Sequence, residues 1–231
     1  MAITSSGQIM FASFNAEFGL GYNLNAYYGC DPWLPVPRSG TISFANFYSA
    51  DNRTAEITGG KSNDGYSGAG FYGRYGWAEA KGSGYLLGSE SSENRVAFGS
   101  ISKNLNLSTG QRIVGLYASS QFASTKYVAF SKKGSGNTST TGGFTQLKMR
   151  FNNAQWRYGD PITGTTNYDI TLNRTSSNGF AYIQNTLDGG GTPTYSWYWY
   201  TNAVVTDPAL QAYYALYGAL GGGFISFKVV Y

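Results

Sequence analysis

The chain carries twelve carboxylates, sixteen lysines and arginines, a single thiol at Cys30, and no histidine. Ser-His-Asp and Cys-His nucleophilic catalysis both need an imidazole, so neither is open to it. Zinc sites of the usual Cys and His types are closed for the same reason. One cysteine also rules out an intrachain disulfide, and Cys30 reads as a small half-buried thiol. What remains for acid/base work is a pair of carboxylates. Glycoside hydrolysis needs two of them facing each other across about 5–9 Å. Glu90 and Glu93 are the closest run, in a Ser-rich turn, while Asp160, Asp169 and Asp188 are scattered. Asn63-Asp64-Gly65 and Asp188-Gly189 are turn signals; calcium needs several oxygen ligands converging. Carboxylates in exposed turns are ordinarily just solvated. The sequence therefore assigns no catalytic residue, metal or cofactor, and the expectation is a protein that is not an enzyme.

Recognition by aromatic surface is the chemistry left over. Tyr contributes 20 residues, Phe 14 and Trp 5, beside 32 glycines. Charged residues are 12% of the chain, about half the usual ~25%, so the profile is the opposite of a disordered one. The net charge of +4 comes without a basic stripe, Lys132–Lys133 being the densest pair, and nucleic-acid binding is not expected. No run approaches the roughly eighteen apolar residues of a membrane span, and membrane insertion is not expected. The first six residues lack the charged start and apolar run of a signal peptide, which predicts synthesis in a cytoplasm.

The elements that must position the aromatics divide into three regions. Residues 6–14 and 39–47 echo each other at six of nine positions. Asn23-Leu24-Asn25-Ala26-Tyr27-Tyr28-Gly29 has a related shape between them. Ser13 is expected to cap a helical turn that has Glu17 in it and ends at Gly19. Pro32, Pro35 and Pro37 make residues 31–38 a stiff connector. Such an array buries little by itself and needs a partner surface, from the rest of the chain or from a neighbour. Residues 51–84 are turn-dominated, either loop or short strands meeting closely at glycine, with 53–73 the least ordered stretch if it has no partner. Beyond them, strands are predicted at 95–98, 112–117, 126–130, 144–151, 168–172, 180–184 and 224–231. In residues 145–151 the alternation is clear, with Leu147, Met149 and Phe151 opposite Gln146, Lys148 and Arg150. Residues 195–200 are aromatic on both faces. One helix follows, capped by Thr206 or Asp207, with Pro208 first and Gly221 last. Its apolar stripe is Leu210, Tyr213, Tyr214, Tyr217 and Leu220. The expected fold is mainly β. An N-terminal module of short turns and helices (1–50) leads through a Gly- and aromatic-rich connecting region (51–84) to a β-sandwich-like body (85–231) with one C-terminal helix.

The first fifty residues resemble a module found near the start of many tailed-phage virion proteins of the tail, neck or fibre. The family pattern runs Ile-x-Phe-x-x-Phe-x-x-Glu-Phe-Gly, then Leu-x-x-Tyr-Tyr-Gly, then Pro-x-Ser-Gly-x-Ile-Ser-Phe-x-x-Phe-Tyr. It falls here on residues 9–19, 24–29 and 37–48. Leu20-Gly21 follows Gly19 where the family often has a second glycine directly. The resemblance implies a virion structural protein acting by protein–protein assembly, with localisation in the virion. The aromatics expected at subunit interfaces are Phe11, Phe14, Phe18, Tyr27, Tyr28, Phe44, Phe47 and Tyr48, set against a local mini-core packed on the chain's own body. Tyr195, Trp197 and Trp199 are read as core or subunit interface, with a stacking platform for host-surface sugars as the sharper alternative. Expected partners are other virion proteins and further copies of the chain, as a trimer or ring. A host-glycan-binding receptor protein and a capsid decoration protein are the competing functions.

Overall fold

In this computed structural model the described residues are 3–34, 36–66, 70–79, 97–108, 110–121, 125–133, 143–151, 168–174, 179–180, 186–187, 193–202, 204, 206–218 and 224–231. The chain is mostly β. An opening helix α1 (Phe11–Phe18) and two 3-10 turns (Leu24–Tyr27 and Phe44–Phe47) precede the first strand. The strands are β1 (Thr54–Thr58), β2 (Gly60–Tyr66), β3 (Gly70–Ala78), β4 (Ser100–Ile101), β5 (Arg112–Gln121) and β6 (Thr125–Lys133), then β7 (Gln146–Phe151), β8 (Tyr168–Asn173), β9 (Gly179–Phe180), β10 (Thr186–Leu187), β11 (Pro193–Tyr200) and β12 (Phe224–Val230). Helix α2 (Pro208–Gly218) lies between the last two.

The strands form two antiparallel sheets. One has the order β4-β1-β12-β7-β8; the other runs β10-β11-β6-β5-β3-β2, with β9 also on β11. Alternation decides which side chains meet between them. From the first sheet Ala55, Ile57, Leu147, Met149, Ile170, Leu172, Ile225, Phe227 and Val229 face inward. From the second come Trp77, Leu116, Ala118, Val128, Phe130, Trp197 and Trp199. The outward face of the second sheet is buried as well, with Tyr117, Tyr127, Ala129 and Tyr198 gathered against Phe98. That accounts for a strand aromatic on both sides.

Of the two readings left open for 51–84, the described residues take the second: β1, β2 and β3 are strands meeting closely at glycine, and Ala55 and Ile57 are fully enclosed. Its glycines serve close approach. A Cβ on Gly60 would lie 2.2 Å from the Gly99 nitrogen, and one on Gly76 (φ +131) 2.5 Å from the Leu116 oxygen. A side chain at either position would run into neighbouring backbone, at Gly60 where the chain passes from β1 to β2 and at Gly76 where β3 lies against β5.

Helix α2 touches β8 of one sheet and β3, β5, β6 and β11 of the other. Asp207 is its cap: Oδ1 accepts from the Ala209 N–H (3.1 Å) and Oδ2 from the Asn202 N–H (2.7 Å). The expected stripe understates its burial. Ala209, Ala212, Ala215 and Leu216 are enclosed too, whereas Tyr217 is exposed, because the helix is packed on nearly all sides. Leu220, Gly221 and the predicted strand residues 95–96 and 181–184 lie outside the described residues. Among those described, no helix is long and apolar enough to cross a membrane.

Candidate functional site

The N-terminal segment is built from three turns of one pattern. Each opens with the same backbone bond: the Ser13 N–H donates to the Met10 oxygen, Ala26 to Asn23, and Asn46 to Ser43. Each sends an aromatic inward from its fourth position, namely Phe14, Tyr27 and Phe47, and all three are 0% exposed. Their rings touch one another at centroid distances of 4.5 Å (Phe14–Phe47), 5.5 Å (Phe14–Tyr27) and 6.0 Å (Tyr27–Phe47). Ile3, Ile9, Cys30, Val36 and Ala50 complete the cluster. The helix starts at Phe11 rather than at a Ser13 cap, which keeps Phe11 and Phe14 on one side, and it ends on left-handed Gly19 as the spacing predicts.

The turns thus bury more among themselves than expected, and the partner surface they also use is the rest of the chain, as in the mini-core alternative. Phe14, Tyr27 and Phe47 are consumed inside the cluster and have no surface left for a partner. Phe11, Phe18 and Tyr28 are half-buried. Phe44 and Tyr48 remain exposed, at 39% and 37%, beside Met10 at 55%. Phe44 stands edge-on to Phe11 at 5.1 Å. The two outer tyrosines tie the turns together: Tyr28 Oη donates to the Gly40 oxygen, and Tyr48 Oη to the Gly7 oxygen (2.7 Å).

The second and third turns stay parallel beyond their aromatics. Gly29 (φ +62) and Ser49 (φ +63) both take the left-handed conformation, and Asp31 and Asp51 then turn inward, both buried. Asp31 Oδ1 accepts from the Trp33 N–H (2.8 Å) and the Thr54 hydroxyl (2.8 Å), while Oδ2 accepts from the Asp51 N–H (2.9 Å). Asp51 accepts from the Arg53 N–H and guanidinium and lies 3.1 Å from Lys228 Nζ on β12. Burial alone would raise the Asp51 carboxyl; the hydrogen bonds from Arg53 and Lys228 outweigh it and hold the group down to about 2. Glu17 Oε1 accepts from the Asn52 N–H (3.0 Å). The sequence reading missed these three carboxylates. The signal was there, since Tyr27-Tyr28-Gly29-Cys30-Asp31 and Phe47-Tyr48-Ser49-Ala50-Asp51 match in register.

The latch fastens the segment to the outer face of the first sheet. Arg150 of β7 donates from Nη1 to the Trp33 oxygen (2.7 Å) and stacks on the Trp33 ring at 4.4 Å, while Arg38 pairs with Glu56 of β1. Cys30 lies within, and burial pushes its thiol up to about 12, which leaves it unreactive at neutral pH.

Trp197 and Trp199 are buried between the sheets, Trp197 against Phe144 at 4.7 Å, and Trp199 Nε1 donates to the Asn173 oxygen (2.8 Å). Neither offers a ring to a sugar, so the stacking platform is withdrawn at those two positions. Tyr195 lies on β11 opposite Lys132; its side chain is outside the description. Of the carboxylates considered for catalysis, Asp169 is an exposed partner of Arg150, at 2.7 Å. Glu90, Glu93, Asp160 and Asp188 lie outside the described residues, as does the side chain of Asp64. No known protein family, curated protein or solved structure matches the chain.

Proposed function

We propose that the chain is a non-enzymatic structural subunit of a tailed-phage virion, associated with the tail, neck or fibre and working by protein–protein assembly. The observation that carries this reading is the N-terminal segment. Its sequence pattern resembles the virion module, and its rim leaves Met10, Phe44 and Tyr48 exposed on a segment that has its own buried core and is tied to the first sheet. Single exposed apolar residues are common, but large aromatics gathered on a held scaffold are what association surfaces use. Desolvating such a rim stabilises a contact at about 25 cal/mol per Å² of apolar area, less the ordering cost. A pre-ordered module keeps that cost small. The partners are other virion subunits and further copies of this chain.

Immunogold labelling of particles produced from the encoding genome tests the assignment. Label on the tail, neck or fibres supports it. Label on capsid faces replaces it with a decoration role, and unlabelled particles overturn it. Exchanging Phe44 and Tyr48 for serine should lower incorporation several-fold while circular dichroism stays unchanged.

A further inference from the structure

Where the N-terminal segment meets the body there is a cleft of about 410 Å³, within the usual range for small-molecule sites, which favour such junctions. Phe18, Tyr28 and Leu20 supply its apolar wall, and Asn104 and Asn106 supply amides from the loop after β4. The charged groups among its described lining are both cations, Lys103 and Arg53. Arg53 is committed to Asp51 through Nε and Nη2. Lys103 is not: its ammonium donates to the Cys30 carbonyl (2.8 Å) and lies 5.3 Å over the Phe18 ring. No carboxylate lies within ion-pair distance of it among the described residues. Asp31, Asp51 and Glu17 are close enough to act on its charge, but their oxygens are taken up by backbone N–H groups, Thr54 and Arg53. Burial draws the Lys103 ammonium below its usual range, outweighing the upward pull of Asp31, Asp51 and Glu17, the mark of a largely desolvated cation.

A desolvated ammonium with donors to spare wants an anionic acceptor. One point charge suits a single carboxylate better than a phosphate, which recruits an arginine fork or several backbone N–H groups. The neighbouring amides suit hydroxyls, and the apolar wall suits a C–H face. We infer that this cleft binds a small carboxylate-bearing polyol, an acidic sugar of the hexuronate type, with Lys103 on its carboxylate and Asn104 and Asn106 on its hydroxyls. The site lies wholly within one chain and needs no assembly partner.

Calorimetric or ligand-observed NMR titration of the full chain with glucuronate tests it. Glucose and inorganic phosphate are the comparison ligands. The expected result is saturable glucuronate binding at about millimolar strength, with glucose and phosphate each about tenfold weaker or worse. Lys103→Met should weaken glucuronate binding about tenfold. Asn104→Asp, which adds a repelling charge at an exposed position and leaves the fold intact, should do the same. No saturation by about 50 mM glucuronate, equal binding of glucose or phosphate, or indifference to Asn104→Asp in a folded chain overturns the inference.

Discussion

Phe14 and Phe47 occupy the same place in two copies of a nine-residue echo, and their rings lie 4.5 Å apart, fully buried. Phe11 and Phe44, the preceding equivalent pair, stand 5.1 Å apart on the rim. A repeated sequence has become a repeated contact, one layer enclosed and the next partly open to solvent.

That layering predicts unequal costs. Phe47→Ala should lower stability by about 3–5 kcal/mol, the range for emptying an aromatic site in a core. Phe44→Ala should cost less, about 1–2 kcal/mol, because its ring is already partly solvated. Urea titrations of both variants check the difference; equal losses would mean that the rim ring belongs to the core.

The left-handed pair gives a second test. Ser49 holds at φ +63 a conformation that Gly29 holds at φ +62 without steric cost. Ser49→Gly should be neutral to stabilising by up to about 1 kcal/mol, and Gly29→Ala should destabilise by about 1 kcal/mol. Thermal melts would show the opposite signs.

Acid should weaken the latch. The Asp51 carboxyl sits at about 2 in the folded chain and returns to its ordinary 3.8 on unfolding. Its contribution, about 2 kcal/mol, is complete above pH 4 and lost as pH falls toward 2. Asp51→Asn should remove that part of the pH dependence and lower stability at pH 7 by about 2–4 kcal/mol, since Arg53 and Lys228 lose their shared partner. Denaturant titrations at stepped pH separate the two effects.

Alkali should act in the other direction at Lys132. This residue is fully enclosed, its ammonium 5.0 Å over the Trp197 ring, and burial lowers it from 10.5 to about 8. Between pH 8 and 10.5 the unfolded chain binds the extra proton, so this group makes stability rise with pH, by about 3 kcal/mol in all. Lys132→Met should abolish that rise. A wild-type stability flat or falling by as much in the variant as in the parent would contradict it.

Much of the body was legible in the residues. Alternation in 145–151 and 224–231 marked strands whose inward sides are Leu147, Met149, Phe227 and Val229, and Asp207-Pro208 marked a helix start. The aromatic echo marked the N-terminal turns. Those are local signals, set by period, capping and β-branched or aromatic content. The 51–84 stretch left loop and strand both open because glycine reports freedom of the backbone and not what approaches it. Gly60, Gly76 and Gly99 became strand contacts only when two sheets brought other backbone against them.

By itself, then, the sequence determined a charge-poor, aromatic, mainly β chain without imidazole chemistry, because composition and short-range periodicity are carried by neighbouring residues. Tertiary structure alone decided which rings are spent in cores and which remain on a surface. It also decided that Asp31 and Asp51 are buried latches and that Lys103 faces a cleft. The physical reason is that an aspartate survives burial only where distant donors such as Arg53 and Lys228 converge on it, and no local pattern records that convergence.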